Sequence, residues 1–362
     1  MNKLSRLIVA LVAGLMAVAL TAVAVAPATA TPSKPAIEVF LADGVTPVGT
    51  TQLHPGDQVV VKGSGFDPNA NTSGLPVPVP PGVPHGTFVT FGAFGENWKP
   101  SKGAPESSRT TVRAQTAWVL SRDALNAVPN VPFDLRRTIR QQWVELSRTG
   151  EFTARITLAT PKEIPAGGRW GIYSFGAADS VNAAQELMVP INYSTAPGPN
   201  TPKPAPKNLV WAYSPTFAST VRSKTDGALS GSDGAAVDEA GLMSFKLADN
   251  TVRNGRGHLR YAGTVTVWTK FHLLEIALAD PIITVDGNRA VLTMRTSTTD
   301  MNGDDVLRRV AIADLTLTPA QAARVARGED VSGIAAAFRS GITPTSLAAL
   351  SVGPASPVAV RF

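Results

Sequence analysis

The chain has 362 residues, enough for two ordinary domains, with 44% hydrophobic residues and no cysteine, so its folds must rest on apolar cores rather than disulfides. Its formal charge is +6, falling to +4 without the two basic residues of the N-terminal leader. That excess is scattered along the sequence, which argues against nucleic acid as a partner.

The N-terminus, MNKLSRLIVALVAGLMAVALTAVAVAPATA, sets Lys3 and Arg6 ahead of a long apolar run and closes on Ala28-Thr29-Ala30. This is the layout of a secretory signal peptide over 1–30, with a retained anchor as the alternative. No later run is apolar enough to span a bilayer. The expectation is an extracellular or cell-surface protein with no transmembrane anchor in the mature chain.

Residues 31–193 read as short strands punctuated by Gly and Pro: AIEVFLA, DQVVVKGSGF, GTFVTFGAF, TAWVLS, GEFTARITLA, RWGIYSFGA and ELMVPINY. Seven such runs predict a β-sandwich of immunoglobulin type. Between them, Gly74–Pro84 reads as a proline-rich loop. Asp134–Leu146 predicts a single helix capped by Asp134. Arg136, Arg137 and Arg140 would form its solvated face or, alternatively, meet an anionic partner. Residues 194–207, containing STAPGPNTPKPAP, predict an extended, semi-rigid linker.

Residues 208–362 form a second, also mostly β, segment with one or two short helices. GTVTVWTKFHLLEIAL reads as one long strand holding His272. RAVLTMRTSTT and DDVLRRVAIADLTLT are strands joined by a hairpin turn at DMNGD, whose aspartates match no EF-hand spacing. Thr318-Pro319 starts a helix running to about Arg327. The chain has four histidines: His54 and His85 fall in turns, His258 in a glycine-rich approach, and His272 in the strand pattern. No HExxH, GxSxG, phosphate-binding or dinucleotide motif occurs, and the chain is read as a non-enzyme.

Several stretches from Leu209 to Phe338 carry a resemblance. WAYSPTFASTV places Trp211 and Phe217 at the separation of an aromatic opening motif. GALSGSDGA, FKLADN, NGRGHLRYAGTVTVW and LLEIALADPIITVDGNRAVLT then follow in order. Together they resemble the HtaA domain, the haem-transport-associated module of exported actinobacterial proteins. The sequence before them is similar to the β-sandwich that often precedes this module. The resemblance implies a haem-binding role in which a tyrosine of the opening motif ligates iron and a strand histidine supports it. Carried across residue by residue, the tyrosine position is Thr220 and the histidine position is Lys270. Nearby residues that would rebuild a site are Tyr213, Tyr261 and His272, with the aromatics Trp211, Phe217 and Trp268. His272 or Tyr213 are the candidate iron ligands, and Lys270 would meet a carboxylate such as a haem propionate. His272 is alternatively an ordinary strand residue satisfied by a neighbour.

The resemblance thus implies an exported, non-enzymatic, haem-associated protein, with haem or a haem-carrying protein as partner and an altered ligand pattern. The alternative is a structural or adhesive surface module that binds a protein or cell-wall partner and no haem.

Overall fold

The computed structural model describes residues 34–362 except 75–78, 113–114, 130–134, 203–205, 270–273 and 299–305. The protein is mostly β. Strands of the first half are β1 (Ala36–Leu41), β2 (Gln58–Ser64), β3 (Thr87–Phe94), β4 (Arg109–Thr111), β5 (Ala117–Leu120), β6 (Trp143–Glu145), β7 (Phe152–Thr157), β8 (Arg169–Gly176) and β9 (Leu187–Pro190). They form one sheet in the order β1-β2-β7 and another in the order β6-β5-β3-β8-β9, with β4 on the end of β3.

The alternation in β7, buried at Phe152, Ala154 and Ile156 and exposed between, turns one face of the first sheet onto the second. Those residues share a core with Val59, Val61, Phe91, Val119 and Ile172. Strand β3 is buried along nearly its whole length because its other face is covered too. Helices α1 (Arg122–Ala127) and α2 (Leu135–Arg140) cover its start, packing Leu125, Leu135 and Ile139 with Trp118, Leu120 and Phe88, and Trp98 packs against Phe94 at its end.

All seven strands predicted in this half form, but the predicted helix over 134–146 does not run through. Helix α2 stops at Arg140, and Trp143–Glu145 becomes β6, pairing parallel with β5. Trp143 Nε1 also donates to the Leu120 carbonyl. Sheet pairing outweighs local helical pattern here. The arginines are not a common solvated face either: Arg137 is buried, Arg136 is half-buried and donates to the Val128 carbonyl, and Arg140 is exposed. The linker also differs from a free spacer in its first part. Ser194 N donates to Leu53 O, Asn200 Nδ2 to Asp57 Oδ1, and Thr201 Oγ1 to Pro55 O, so this stretch lies along the 53–57 turn.

The second half comprises β10 (Leu209–Trp211), α3 (Phe217–Thr225), β11 (Ala228–Ser232), β12 (Ala235–Val237), β13 (Met243–Asn250), β14 (Arg256–Ala262), β15 (Thr264–Trp268), β16 (Glu275–Asp286), β17 (Arg289–Thr298), β18 (Arg308–Thr316), α4 (Pro319–Arg327), β19 (Val331–Phe338), α5 (Thr345–Leu350) and β20 (Val358–Val360). The row β16-β14-β13-β10-β20-β19-β18-β17 closes on itself because β16 also pairs β17. The result is a ring of strands around one core that includes Leu209, Phe245, Leu278, Leu292, Ile312 and Val358.

One kink gives the ring its shape. The register of β16 slips between Ala279 and Ile282, Asp280 takes φ 45, and its N–H donates to the carbonyl of Gly263 between β14 and β15. Gly263 has φ 120, and a Cβ there would lie 2.2 Å from Ala235 N, so only glycine fits the close approach. Beyond this bend the first half of β16 stays paired with β17 but exchanges β14 for β15, which pairs with β11. Outside, Arg295 Nη1 meets Asp280 Oδ2 at 3.1 Å and Arg309 Nη2 donates to Asp280 O at 2.9 Å, fixing the bulge.

The single strand read across GTVTVWTKFHLLEIAL is therefore two. β15 ends at Trp268, β16 begins at Glu275, and they run antiparallel with Trp268 opposite Glu275. Thr269 N donates to Leu274 O across the connection. Trp268 and Leu274 thus do not share one strand face, because the apolar run continues through a reversal of direction that periodicity does not register. The predicted turn at DMNGD lies outside the described residues. The helix expected from Thr318 forms as α4, with Thr318 and Gln321 in a reciprocal capping box and Gly328 closing it at φ 71.

Candidate functional site

The residues singled out by sequence fall into two groups around α3 and the β15–β16 hairpin. Helix α3 begins just after Tyr213, whose φ of 63 turns the chain from β10 into the helix. That turn folds the Tyr213 ring inward between Trp211, Phe217 and Phe338, with centroids at 4.8, 4.5 and 4.9 Å. Its hydroxyl lies 2.7 Å from Ser351 Oγ, which itself donates to Leu347 O. Trp211 Nε1 donates to Ser356 O. Trp211, Tyr213 and Phe217 are thus core side chains with their polar atoms satisfied.

Tyr261 points from β14 into the barrel beside Leu259 and is also buried, and its hydroxyl has no hydrogen-bond partner. Burial pushes the ionisation of both phenols well above the ordinary tyrosine range, and the Ser351 contact pulls Tyr213 back only in part. Both therefore stay neutral phenols near neutral pH. Ferric iron favours an anionic oxygen. As folded here, both rings are packed in the barrel core, and either would have to leave it to reach iron.

Thr220, on the first turns of α3, is partly exposed, and its N–H donates to Thr216 O. The far end of α3 abuts the hairpin: a Cβ on Gly227 would lie 2.0 Å from Trp268 O, and Ala228 pairs opposite Trp268. Trp268 is partly buried on β15. Lys270 and His272 lie outside the described residues. The fold thus carries Thr220 and Trp268 on adjoining elements, while Tyr213 and Tyr261 belong to the core.

The other histidines stand apart. His54 Nδ1 is 3.0 Å from Ala196 O, His85 Nδ1 is 3.2 Å from Ser180 Oγ, and His258 Nδ1 is 3.1 Å from Thr284 Oγ1. Desolvation lowers the His85 pKa from its usual value. Among the described residues, no group of three or more His, Cys, Asp or Glu is placed to hold a metal. A cleft in the second half, between Val210, Val237 and Leu242, offers about 80 Å³, far below the size of a site for a porphyrin.

A larger cleft, of about 570 Å³, opens in the first half between Phe88, Arg109, Phe175 and Asp179. Sequence reading missed it, because its walls come from β3, β4, β8 and two loops far apart in the chain and share no local motif.

Among curated proteins, none matches this chain. Three solved structures similar to it are domains from Corynebacterium glutamicum. The C-terminal domain of HtaA is 17% identical, covering 42% of this chain and 92% of its own, with a TM-score of 0.32. For the N-terminal domain of HtaA the values are 15%, 43%, 96% and 0.32. The heme-binding protein HtaB is 14% identical, covering 42% and 90%, with a TM-score of 0.30. The sequence model of the HtaA family (Htaa) matches residues 207–344, the segment containing α3, the hairpin and most of the barrel. The second half of this chain carries an HtaA domain.

Proposed function

We propose that this is an exported, non-enzymatic protein of the haem-uptake type, in which the HtaA scaffold is kept and the usual iron-ligating tyrosine position is taken by Thr220. The HtaA match over 207–344 carries this reading. The family is one of haem binding and transport rather than catalysis. The signal-like leader over 1–30 supports export, and no described helix is long and apolar enough to cross a membrane. In this reading, 31–193 is a presenting β-sandwich of immunoglobulin type, 194–207 a linker, and 208–362 the HtaA domain. Contact with haem runs through the β15–β16 hairpin, where His272 is the remaining candidate ligand and Lys270 the candidate partner of a propionate.

Hemin titration of the purified protein tests this. We expect a saturable Soret shift at a one-to-one ratio that is lost in His272→Ala and kept in Tyr213→Phe, whose hydroxyl is already held by Ser351. The double change Thr220→Tyr with Lys270→His should strengthen binding by restoring the family's pair. Absence of any shift beyond that of a control protein would overturn the haem reading.

The burial of Tyr213 and Tyr261 in the barrel core favours a second reading, a surface module that binds a protein or cell-wall partner and no haem. It predicts no Soret shift in the unmodified protein.

A further inference from the structure

The cleft of about 570 Å³ in the first half is built around a cation without a counterion. Arg109 starts β4, at the edge of the sheet, and its half-buried guanidinium lies over the Phe175 ring, 5.5 Å from the centroid. Its Nη1 donates to three backbone carbonyls, Trp98 at 3.1 Å, Ala104 at 3.3 Å and Pro105 at 3.4 Å. Those bonds lock the side chain in place. Nε and Nη2 have no hydrogen-bond partner, and no carboxylate comes within ion-pairing distance among the described residues. Burial lowers the Arg109 pKa from its usual value, and the nearby carboxylates only partly offset this. A guanidinium held this way keeps one edge of its fork open for a planar anion.

The carboxylates around it are not equivalent. Glu186 is fully engaged, accepting from Ser101 N at 2.7 Å and Ser101 Oγ at 2.5 Å. Glu106 and Asp179 are exposed on the cleft wall and act on Arg109 only through their fields. Asp179 is held at the rim by a turn in which Ala178 and Asp179 take φ 49 and 57, a conformation unusual outside glycine. Two flanking negative charges disfavour a multiply charged anion such as phosphate. They suit a ligand that brings a positive charge of its own. Between the charged walls, Phe88 and Phe175 give the cleft apolar surface.

We propose that this cleft binds a small zwitterion, a free amino acid or a short peptide. Its carboxylate meets the open edge of Arg109, its ammonium group meets Asp179 and Glu106, and its apolar side chain lies against Phe88. The volume falls within the usual range for small-molecule sites. The site is separate from the HtaA domain and does not depend on haem.

Calorimetric titration of the full chain with four probes tests it: phenylalanine, phenylalanine amide, N-acetylphenylalanine and glycyl-phenylalanine. Phenylalanine or glycyl-phenylalanine should bind saturably, and which binds more tightly separates the free amino acid from the peptide. N-acetylphenylalanine, lacking the ammonium group, should bind about tenfold more weakly, and the amide, lacking the carboxylate, should not bind measurably. Arg109→Met keeps the apolar stem over Phe175 and should abolish binding. Asp179→Asn should weaken the zwitterions and leave N-acetylphenylalanine binding no weaker. Because Arg109 also holds its loop, Val181→Trp provides a second test: Val181 lines the cleft with 60% of its surface exposed, so the change fills the cleft without touching the core. Failure of both zwitterions to bind, preference for the amide, or binding that survives both Arg109→Met and Val181→Trp would overturn the proposal.

Discussion

Tyr213 and Tyr261 are the same residue type on neighbouring parts of one barrel, yet their hydroxyls stand in opposite situations. The Tyr213 hydroxyl is paired with Ser351, whereas that of Tyr261 is buried with no partner. Leaving a buried hydroxyl unpaired costs about 1–3 kcal/mol, while a made hydrogen bond contributes about 1 kcal/mol net. Tyr261→Phe should therefore leave the urea unfolding midpoint unchanged or raise it, and Tyr213→Phe should lower stability by about 1 kcal/mol. A marked loss in Tyr261→Phe would show that its hydroxyl is satisfied in solution. Sequence reading offered both tyrosines as candidate phenolates because residue type is visible in a sequence and burial is not. Nothing near Tyr213 in the chain announces that the αL turn at this residue sends its ring beneath Phe338, more than a hundred residues away.

At the level of elements, α4 shows a helix start that local chemistry specifies. The Thr318 hydroxyl accepts from Gln321 N–H, the Gln321 side chain returns to Thr318 N–H, and Pro319 fills the first turn. Thr318→Ala should cost about 1 kcal/mol in chemical denaturation, with little change in the native circular dichroism spectrum. This helix was legible because its capping residues are close in sequence. Seven strands of the first half were legible for a similar reason, since alternation or a bounded apolar run marks each of them, whereas β4 has no such pattern. Short strands such as β10, β12 and β20, three residues each, carry no periodicity and exist because partners flank them. Trp143–Glu145 was misread as helix because its parallel pairing with β5 is decided some twenty residues away. The apolar run across the β15–β16 reversal was misread as one strand because apolar residues lie on both sides of the bend. Of the candidate site, Thr220 lies on α3 and Trp268 on β15, while the Arg109 cleft had no sequence signature at all.

Taken as a whole, the molecule withholds every one of its four tyrosines from easy ionisation. Burial raises Tyr173 to about 12 and pushes Tyr193, Tyr213 and Tyr261 upward as well. A phenol with a raised folded-state pKa contributes stability that is fully present below its unfolded value, near 10, and is lost as pH rises beyond it. Stability should thus be insensitive to these groups at neutral and mildly alkaline pH and decline above about pH 10. The phenolate absorbance of the native protein should lag that of the urea-unfolded chain throughout the titration, and coincidence of the two curves would refute the burial of these rings. The barrel that encloses two of them has a temporal consequence as well. Its ring is completed where β20 joins β10, pairing Val360 with Leu209 and Ala359 with Val210. These partners are among the most distant in the second half, and contacts between distant segments form slowly. Until Val358–Val360 leaves the ribosome, β10 and β19 have no mate on that side, so the growing chain cannot close its last seam. The ring therefore closes only when β20 docks, and that strand serves as its latch.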